Sequence, residues 1–249
     1  MYLKLFLRKI RHAFMRIFSP NAINGYEWKS YSQNGEDGIL GEIFRRIGTT
    51  GPYFVEFGVE DGLECNTAFL ARRKSWHGIM IEGDPEKHRR LNDNYRALPG
   101  VRREHAFITR DNIDDIFRRC GVPLEFDLLS IDIDGNDYWV WEALAAFRPR
   151  VVVIEYNGTR PPPERWVMRY NPEHRWKEDG YMGASLASLE TLGARLGYAL
   201  VGTDEKGVNA FFLRNDVLPK SRFPQQTAAQ AFHPNDYGLL RTDGPSETL

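Results

Sequence analysis

The sequence predicts an α/β domain: a mostly parallel, seven-stranded sheet with a terminal antiparallel hairpin and helices on both faces. Two observations predict it. Between residues 53 and 156, five short apolar runs alternate with stretches of helical periodicity, the pattern of a parallel sheet covered on both sides. Two further runs, 198–203 and 209–213, are separated only by 204–208, which contains Lys206-Gly207. A connection that short joins antiparallel neighbours and no others.

Taken in order, residues 1–18 predict a basic amphipathic helix. Leu3, Phe6, Leu7, Ile10, Phe14, Ile17 and Phe18 recur at helical spacing, and Lys4, Arg8, Lys9, Arg11 and Arg16 meet no acid before Glu27. The apolar runs are too short to span a bilayer, and the interrupting charges argue against a secretory signal. Such a helix either lies in an anionic membrane interface or docks its stripe on the domain or on a second subunit. Ser19-Pro20 and Asn24-Gly25 break it, so 19–30 reads as a linker. The main domain is expected over 31–215. It starts with a polar loop from Ser32 to Asp37 and a short helix carrying Ile39, Leu40, Ile43, Phe44 and Ile47.

The parallel strands are expected at 53–57, 78–82, 103–108, 126–132 and 151–156, and the helices between them at 65–74, 86–95, 113–120 and 138–147. Segment 157–184 is a long insertion with Pro161–Pro163, Trp166, Tyr170, Trp176 and Tyr181, and loops of this length are commonly lids or binding loops. Residues 216–249, rich in Pro, Gln, Thr and Ser, read as a loosely ordered tail. A net charge of −1 gives no footprint for nucleic acid. Two cysteines, Cys65 and Cys120, suit reduced thiols in a cytoplasmic protein and no zinc site.

An open α/β sheet binds ligands outside the carboxyl ends of its strands. The first strand ends in Glu56-Phe57-Gly58-Val59-Glu60-Asp61-Gly62. Gly58 would admit close approach of a ligand and Gly62 a tight entry to the next helix. Glu56 and Glu60 suit a cationic ligand and would repel a dinucleotide pyrophosphate. Glu82, at the end of the second strand, can accept two hydrogen bonds from a ribose diol, while Asp84 can cap the following helix. The fourth strand ends in Asp132-Ile133-Asp134-Gly135-Asn136-Asp137. Asp132 and Asp134 project to one side, Asp137 can cap a helix from Tyr138, and Glu155 and Asn157 arrive on the neighbouring strand. Clustered carboxylates raise one another's pKa or demand a cation. Three readings stay open here: a metal (Mg²⁺, Ca²⁺ or Mn²⁺) held by Asp132 and Asp134, a metal-free general base, or structural hydrogen bonding. His77, His88, His105 and His174 are scattered, and Ser185 suits a helix cap.

These motifs, from Phe54-Val55-Glu56-Phe57-Gly58 to Gly62, Ile81-Glu82, and Leu129-Ser130-Ile131-Asp132-Ile133-Asp134-Gly135, resemble the class I S-adenosylmethionine (SAM)-dependent methyltransferases, whose fold is Rossmann-like. They are most similar to the FkbM-type group, commonly sugar O-methyltransferases. Tyr31-Ser32-Gln33-Asn34-Gly35-Glu36-Asp37 resembles the opening of a bacterial subgroup that accompanies surface-polysaccharide genes. The resemblance covers about residues 30–215. It implies SAM as cofactor, with Glu56, Gly58 and Gly62 at its methionine part, Glu82 at its ribose, and Gln33 and Glu36 at the cofactor entrance. Asp132 falls near the methyl donor and acceptor; Asp134 stands where the FkbM pattern has Glu. Asp134, or Asp132 with Glu155, is expected to deprotonate an acceptor hydroxyl and Asn157 to bind the acceptor, with lid aromatics stacking on a sugar. The acceptor implied is a sugar hydroxyl in a polysaccharide, glycolipid or glycosylated metabolite, handled in the cytoplasm or at the inner face of the membrane, by a monomer or a homo-oligomer. A non-catalytic SAM-fold partner tethered by helix 1–18 is the alternative, as is a metal-dependent hydrolase or oxygenase using the acidic cluster.

Overall fold

The five apolar runs form parallel strands because both of their faces are covered. In Val151, Val152, Val153 and Ile154 every side chain is fully buried, and full burial of one such side chain contributes about 1.5–3 kcal/mol. The computed structural model describes residues 2–247, and for residues 2–6, 8 and 9 the backbone alone. The first half runs α1 (Tyr2–Phe18), a 3-10 turn (Ile23–Tyr26), α2 (Glu36–Ile47), β1 (Tyr53–Phe57), α3 (Ala68–Lys74), β2 (His77–Glu82), α4 (Pro85–Asn94), β3 (Val101–His105), α5 (Ile113–Cys120) and β4 (Glu125–Ile131). The second runs α6 (Asp137–Ala143), β5 (Arg148–Glu155), β6 (Val167–Met168), α7 (Leu186–Leu196), β7 (Tyr198–Thr203), β8 (Asn209–Arg214), α8 (Leu218–Ser221), α9 (Ala228–Ala231) and β9 (Ser246–Glu247).

The main sheet has the order β3-β2-β1-β4-β5-β8-β7. Strands β1 to β5 pair in parallel, and β8 is antiparallel to both β5 and β7. The terminal hairpin and the seven strands are therefore as the sequence predicts. Alternate strand residues serve two cores. Phe57, Ile131 and Ile154 pack with Phe117 of α5, Trp141 of α6 and Leu189 of α7. Phe54, Leu128 and Val153 pack with Ile43 of α2, Leu70 of α3 and Leu91 of α4. Strand order reverses between β1 and β4, which opens a crevice at their carboxyl ends.

Several expected boundaries shift, for visible reasons. The third strand begins at Val101 and ends at His105. Ala106–Ile108 leave the sheet because Asn112 closes their loop, donating to the Phe107 carbonyl (2.9 Å) and accepting from the Thr109 amide (2.8 Å). The expected linker 19–30 is packed in place, with Ile23 in the core. The tail is not loose: Val217 and Phe223 join one core, Ala228 and Ala231 the other, and β9 pairs with β6 in the lid. Helix α1 does dock on the domain, but not by its apolar stripe. His12 is buried and Met15 packs against Gly25, while Leu7, Ile10, Phe14, Ile17 and Phe18 stay exposed. The side chains of Leu3 and Phe6 lie outside the described residues, as do those of Lys4, Arg8 and Lys9.

At the amino edge of the sheet, far along β4 from the crevice, Asp127 and Arg150 form a buried pair at 2.6 Å. Asp127 also accepts from the Thr50 and Gly51 amides, and Arg150 donates to the carbonyls of Ile47 and Gly48. Asp127→Ala leaves the guanidinium buried without its counter-charge. The expected loss is about 3–5 kcal/mol of folding stability, read by denaturant unfolding.

Candidate active site

Strand register builds the site. Phe57 is level with Ile81 on one side and Ile131 on the other, and Ile131 is level with Ile154. The residues that follow these four are Glu82, Gly58, Asp132 and Glu155, so they form one row across the carboxyl edge. Glu155 is in turn level with Asn209 of β8. Glu82, Gly58 and Asp132 of this row border a cleft of about 640 Å³, lined also by Gln33, Glu56, Glu60, Asp134 and Asn209, among others, with Glu155 behind Asp132. That volume suits a cofactor-sized molecule.

At the left of the cleft, Glu82 holds the loop ends. It accepts from the Glu60 amide and from the Asp84 amide, both at 2.7 Å. Each carboxylate oxygen has one partner there and keeps further acceptor capacity. Glu60 has a positive φ of 52° and pairs with Lys87 at 2.6 Å. Asp84 caps α4 as expected, accepting from the Glu86 and Lys87 amides. The apolar Ile81, Ala106, Phe107 and Ile108 line the same end.

Glu56 lines the cleft floor but is saturated by the protein. It accepts from the Asn66 and Thr67 amides (2.8 and 2.9 Å) and from the Thr67 and Ser130 hydroxyls (2.5 and 3.1 Å). Those four bonds use the acceptor sites of a carboxylate, so Glu56 fixes the 66–67 turn and offers a ligand its charge but no open lone pair. Burial pushes its pKa up, against the Thr67 hydrogen bonds.

Of three expected ligand positions, Gly58 lines the cleft and Gly62 and Glu36 do not. Gly58 has φ 77° and is also approached by the chain itself: a Cβ there would stand 1.5 Å from the Asp132 carbonyl oxygen. Gly62 does not line the cleft; a Cβ would meet Tyr95 at 2.5 Å and Leu91 at 2.6 Å, so the glycine seats its turn on α4. Glu36 is fully buried and accepts from the Asn34 and Gly35 amides and from Asn209 Nδ2 (3.0 Å), which makes it a brace behind the cleft. Gln33 lines the cleft.

The acidic centre lies to the right. Asp132, Asp134 and Glu155 each offer an oxygen within 4.8 Å of the others. Burial pushes the Asp132 carboxyl well above its ordinary range, and the charges of Asp134 and Asp137 push it further. Glu155 is raised likewise by burial, then by Asp132 and Asp134, and one of its oxygens is buried with no hydrogen-bond partner. Asp134 has a positive φ of 53°, and burial, helped by Asp137, lifts its pKa to about 6. Asp137 is not the cap of α6. It accepts from the Ile133 and Gly135 amides (2.9 and 2.8 Å), and so folds the loop that presents Asp134.

Asn157 is not an acceptor-binding group. Its Nδ2 donates to the Gly180 and Met182 carbonyls, and its Oδ1 accepts from the Thr159 amide and hydroxyl. With its amide fully engaged and buried, it ties the lid to β5. Of the lid aromatics only Trp176 lines the cleft. Trp166 packs under the Arg160 guanidinium at 3.7 Å, Tyr170 under Arg110 at 3.9 Å, and the Tyr181 hydroxyl donates to the Pro245 carbonyl. His174 and Arg175 of the lid line the cleft beside Trp176. His174 Nε2 donates to the Asp134 carbonyl at 3.1 Å, and burial lowers its pKa. Neither His174 nor Asn209 stands out in the sequence, because each reaches the site from a distant segment with no motif around it. Ser185 caps α7 as expected.

No protein-family model matches the chain, and no curated protein matches it by sequence. Solved structures do match. A Klebsiella pneumoniae protein assigned to the O-methyltransferases is 13% identical, with 82% of this chain and 94% of that one covered at a TM-score of 0.50. A Staphylococcus aureus protein assigned as a caffeoyl-CoA O-methyltransferase is 14% identical, over 86% of this chain and 97% of that one, at 0.49. The N-terminal domain of EvdMO1, solved in the presence of S-adenosylhomocysteine (SAH) and D-fucose, is 14% identical over 83% and 94% of the two chains, at 0.46. With the strand order and the terminal hairpin described above, the first of these likenesses establishes the architecture: the chain has the Rossmann-like fold of the class I SAM-dependent methyltransferases.

Proposed function

We propose that the cleft binds SAM and that the protein transfers its methyl group to a hydroxyl of a sugar, in the manner of the FkbM-type enzymes the motifs resemble. The observation that carries this reading is the row Glu82, Gly58, Asp132 and Glu155, set side by side at the switch point of the sheet. Glu82 accepts from the ribose diol with its remaining lone pairs, and the apolar wall of Ile81, Phe107 and Ile108 takes the adenine. The negative charge of Glu56 and Glu60 favours the ammonium and the sulfonium. The acceptor oxygen attacks the methyl carbon, the C–S bond breaks, and its electron pair stays on sulfur as SAH. The hydroxyl proton passes to Asp134, or to Asp132 with Glu155 behind it. Positioning supplies most of the acceleration, and Trp176 offers a face for the sugar ring.

Glu82→Ala removes charge-assisted hydrogen bonds of about 1.5–3 kcal/mol, so SAM affinity should fall roughly tenfold to a hundredfold. Calorimetric titration reads this. Assaying SAH release with a panel of hexoses, deoxyhexoses and their glycosides then tests the acceptor class; transfer to a catechol or a protein instead of a sugar overturns it.

A second reading is favoured by one specific observation: Asp132, Asp134 and Glu155 each offer an oxygen within 4.8 Å of the others, and one Glu155 oxygen is buried without a hydrogen-bond partner. The donor set fits a hard divalent cation such as Mg²⁺, which Asp132, Asp134 and Glu155 would hold. When bound, it would supply positive charge that acidifies an acceptor hydroxyl. Loss of activity in EDTA, restored by Mg²⁺, supports this reading; activity unchanged by EDTA rejects it.

A further inference from the structure

We infer that α1 is a membrane-surface helix that seats the cleft edge of the domain on an anionic lipid bilayer. The inference is independent of the methyl-transfer reading. Helix α1 is fastened to the domain by one side: Arg11 pairs with Glu205, His12 bonds Glu205 at 3.2 Å, and Met15 packs on Gly25. Away from that side run Leu7, Ile10, Phe14, Ile17 and Phe18, spaced three, four, three and one apart. Their exposures run from 50% at Ile10 to 72% at Ile17, and the Phe14 and Phe18 rings lie 4.1 Å apart. Burying this stripe would recover the hydrophobic free energy its exposure forgoes.

Charge decides what covers it. Residues 1–26 contain Lys4, Arg8, Lys9, Arg11 and Arg16 and no acid. A second copy docked stripe to stripe would bring two cationic helices together, which is repulsive. An anionic bilayer satisfies both features at once: apolar residues enter the headgroup–acyl boundary, and each basic residue near the surface adds about 1 kcal/mol. The helix lies on the membrane and does not cross it, since among the described residues no helix is long and apolar enough to span. Glu205, which holds α1, sits in the β7–β8 turn at the carboxyl edge, four residues before the cleft residue Asn209. Membrane contact through α1 therefore holds the cleft edge close to the headgroups.

Co-sedimentation of the full chain with vesicles of phosphatidylcholine, alone or with about 30% phosphatidylglycerol, at about 0.1 and 0.5 M salt, tests this. Partitioning at least tenfold stronger onto the anionic vesicles, weakened at the higher salt and abolished by Phe14→Asp with Ile17→Asp, is expected. Thermal unfolding confirms that the variant keeps its fold, and Arg16→Glu should weaken binding without touching the stripe. Failure of the wild type to bind anionic vesicles, equal binding to neutral ones, or binding unchanged by the double substitution overturns the inference. So does a dimer in sedimentation equilibrium that the same substitutions disperse, which would give the stripe to a second copy.

Discussion

Asp134→Ala should lower kcat by about 10²–10⁴, the range a positioned general base supplies, while SAM still binds within a few-fold of wild type. The structural grounds are that Asp134 lines the cleft beside Asp132 and that the loop presenting it is folded separately, by Asp137. The same assignment makes a pH prediction. A base acts deprotonated, and burial has raised the Asp134 pKa from the ordinary carboxylate range to about 6. The wild-type rate should therefore rise as pH passes through about 6 and level off above it, and the variant's residual rate should lack that limb. Loss of activity with SAM binding retained also argues against a non-catalytic SAM-fold protein. Loss of both together would instead make Asp134 a structural residue of the cleft.

Gly58→Ala should abolish SAM binding and destabilise the domain strongly. Two costs combine there. An alanine at φ 77° is strained by roughly 1–2 kcal/mol, and its Cβ would stand 1.5 Å from the Asp132 carbonyl oxygen, a backbone atom with no rotamer to escape into. The carboxyl ends of β1 and β4 must part, and Asp132 moves with them. Gly48→Ala is the control: Gly48 also has a positive φ, 66°, but a Cβ there meets nothing within 4 Å. It should lose only the strain and keep SAM affinity. Equal melting temperatures for the two variants would contradict the steric account.

What was legible in the sequence was whatever depends on local periodicity. Strands 53–57 and 198–203 and helix 113–120 coincide with the observed elements, and Lys206-Gly207 marked the hairpin turn. The line of acids at strand ends was visible too, because parallel register carries residues after consecutive strands to one edge. Side-chain partners were not visible. Glu36, Gly62 and Asn157 look like ligand residues from their positions, yet each is used up by groups that fold to it from elsewhere, Asn209, Tyr95 and Gly180 respectively. The tail's composition suggested looseness, but a few small or aromatic residues, Phe223, Ala228 and Ala231, suffice to anchor it in the two cores. For α1 the docked side is not legible in the sequence, since it is made by a histidine held against Glu205 and a methionine packed on Gly25, which lie in two separate turns of the chain.

The most direct test of the central claim, that this cleft is a SAM site, is calorimetric titration of the wild-type protein with SAM. The account predicts saturable one-to-one binding at micromolar concentrations, with SAH competing for the same site. Absence of binding, with and without added Mg²⁺, would contradict it, and the row from Glu82 to Glu155 would then belong to a different ligand.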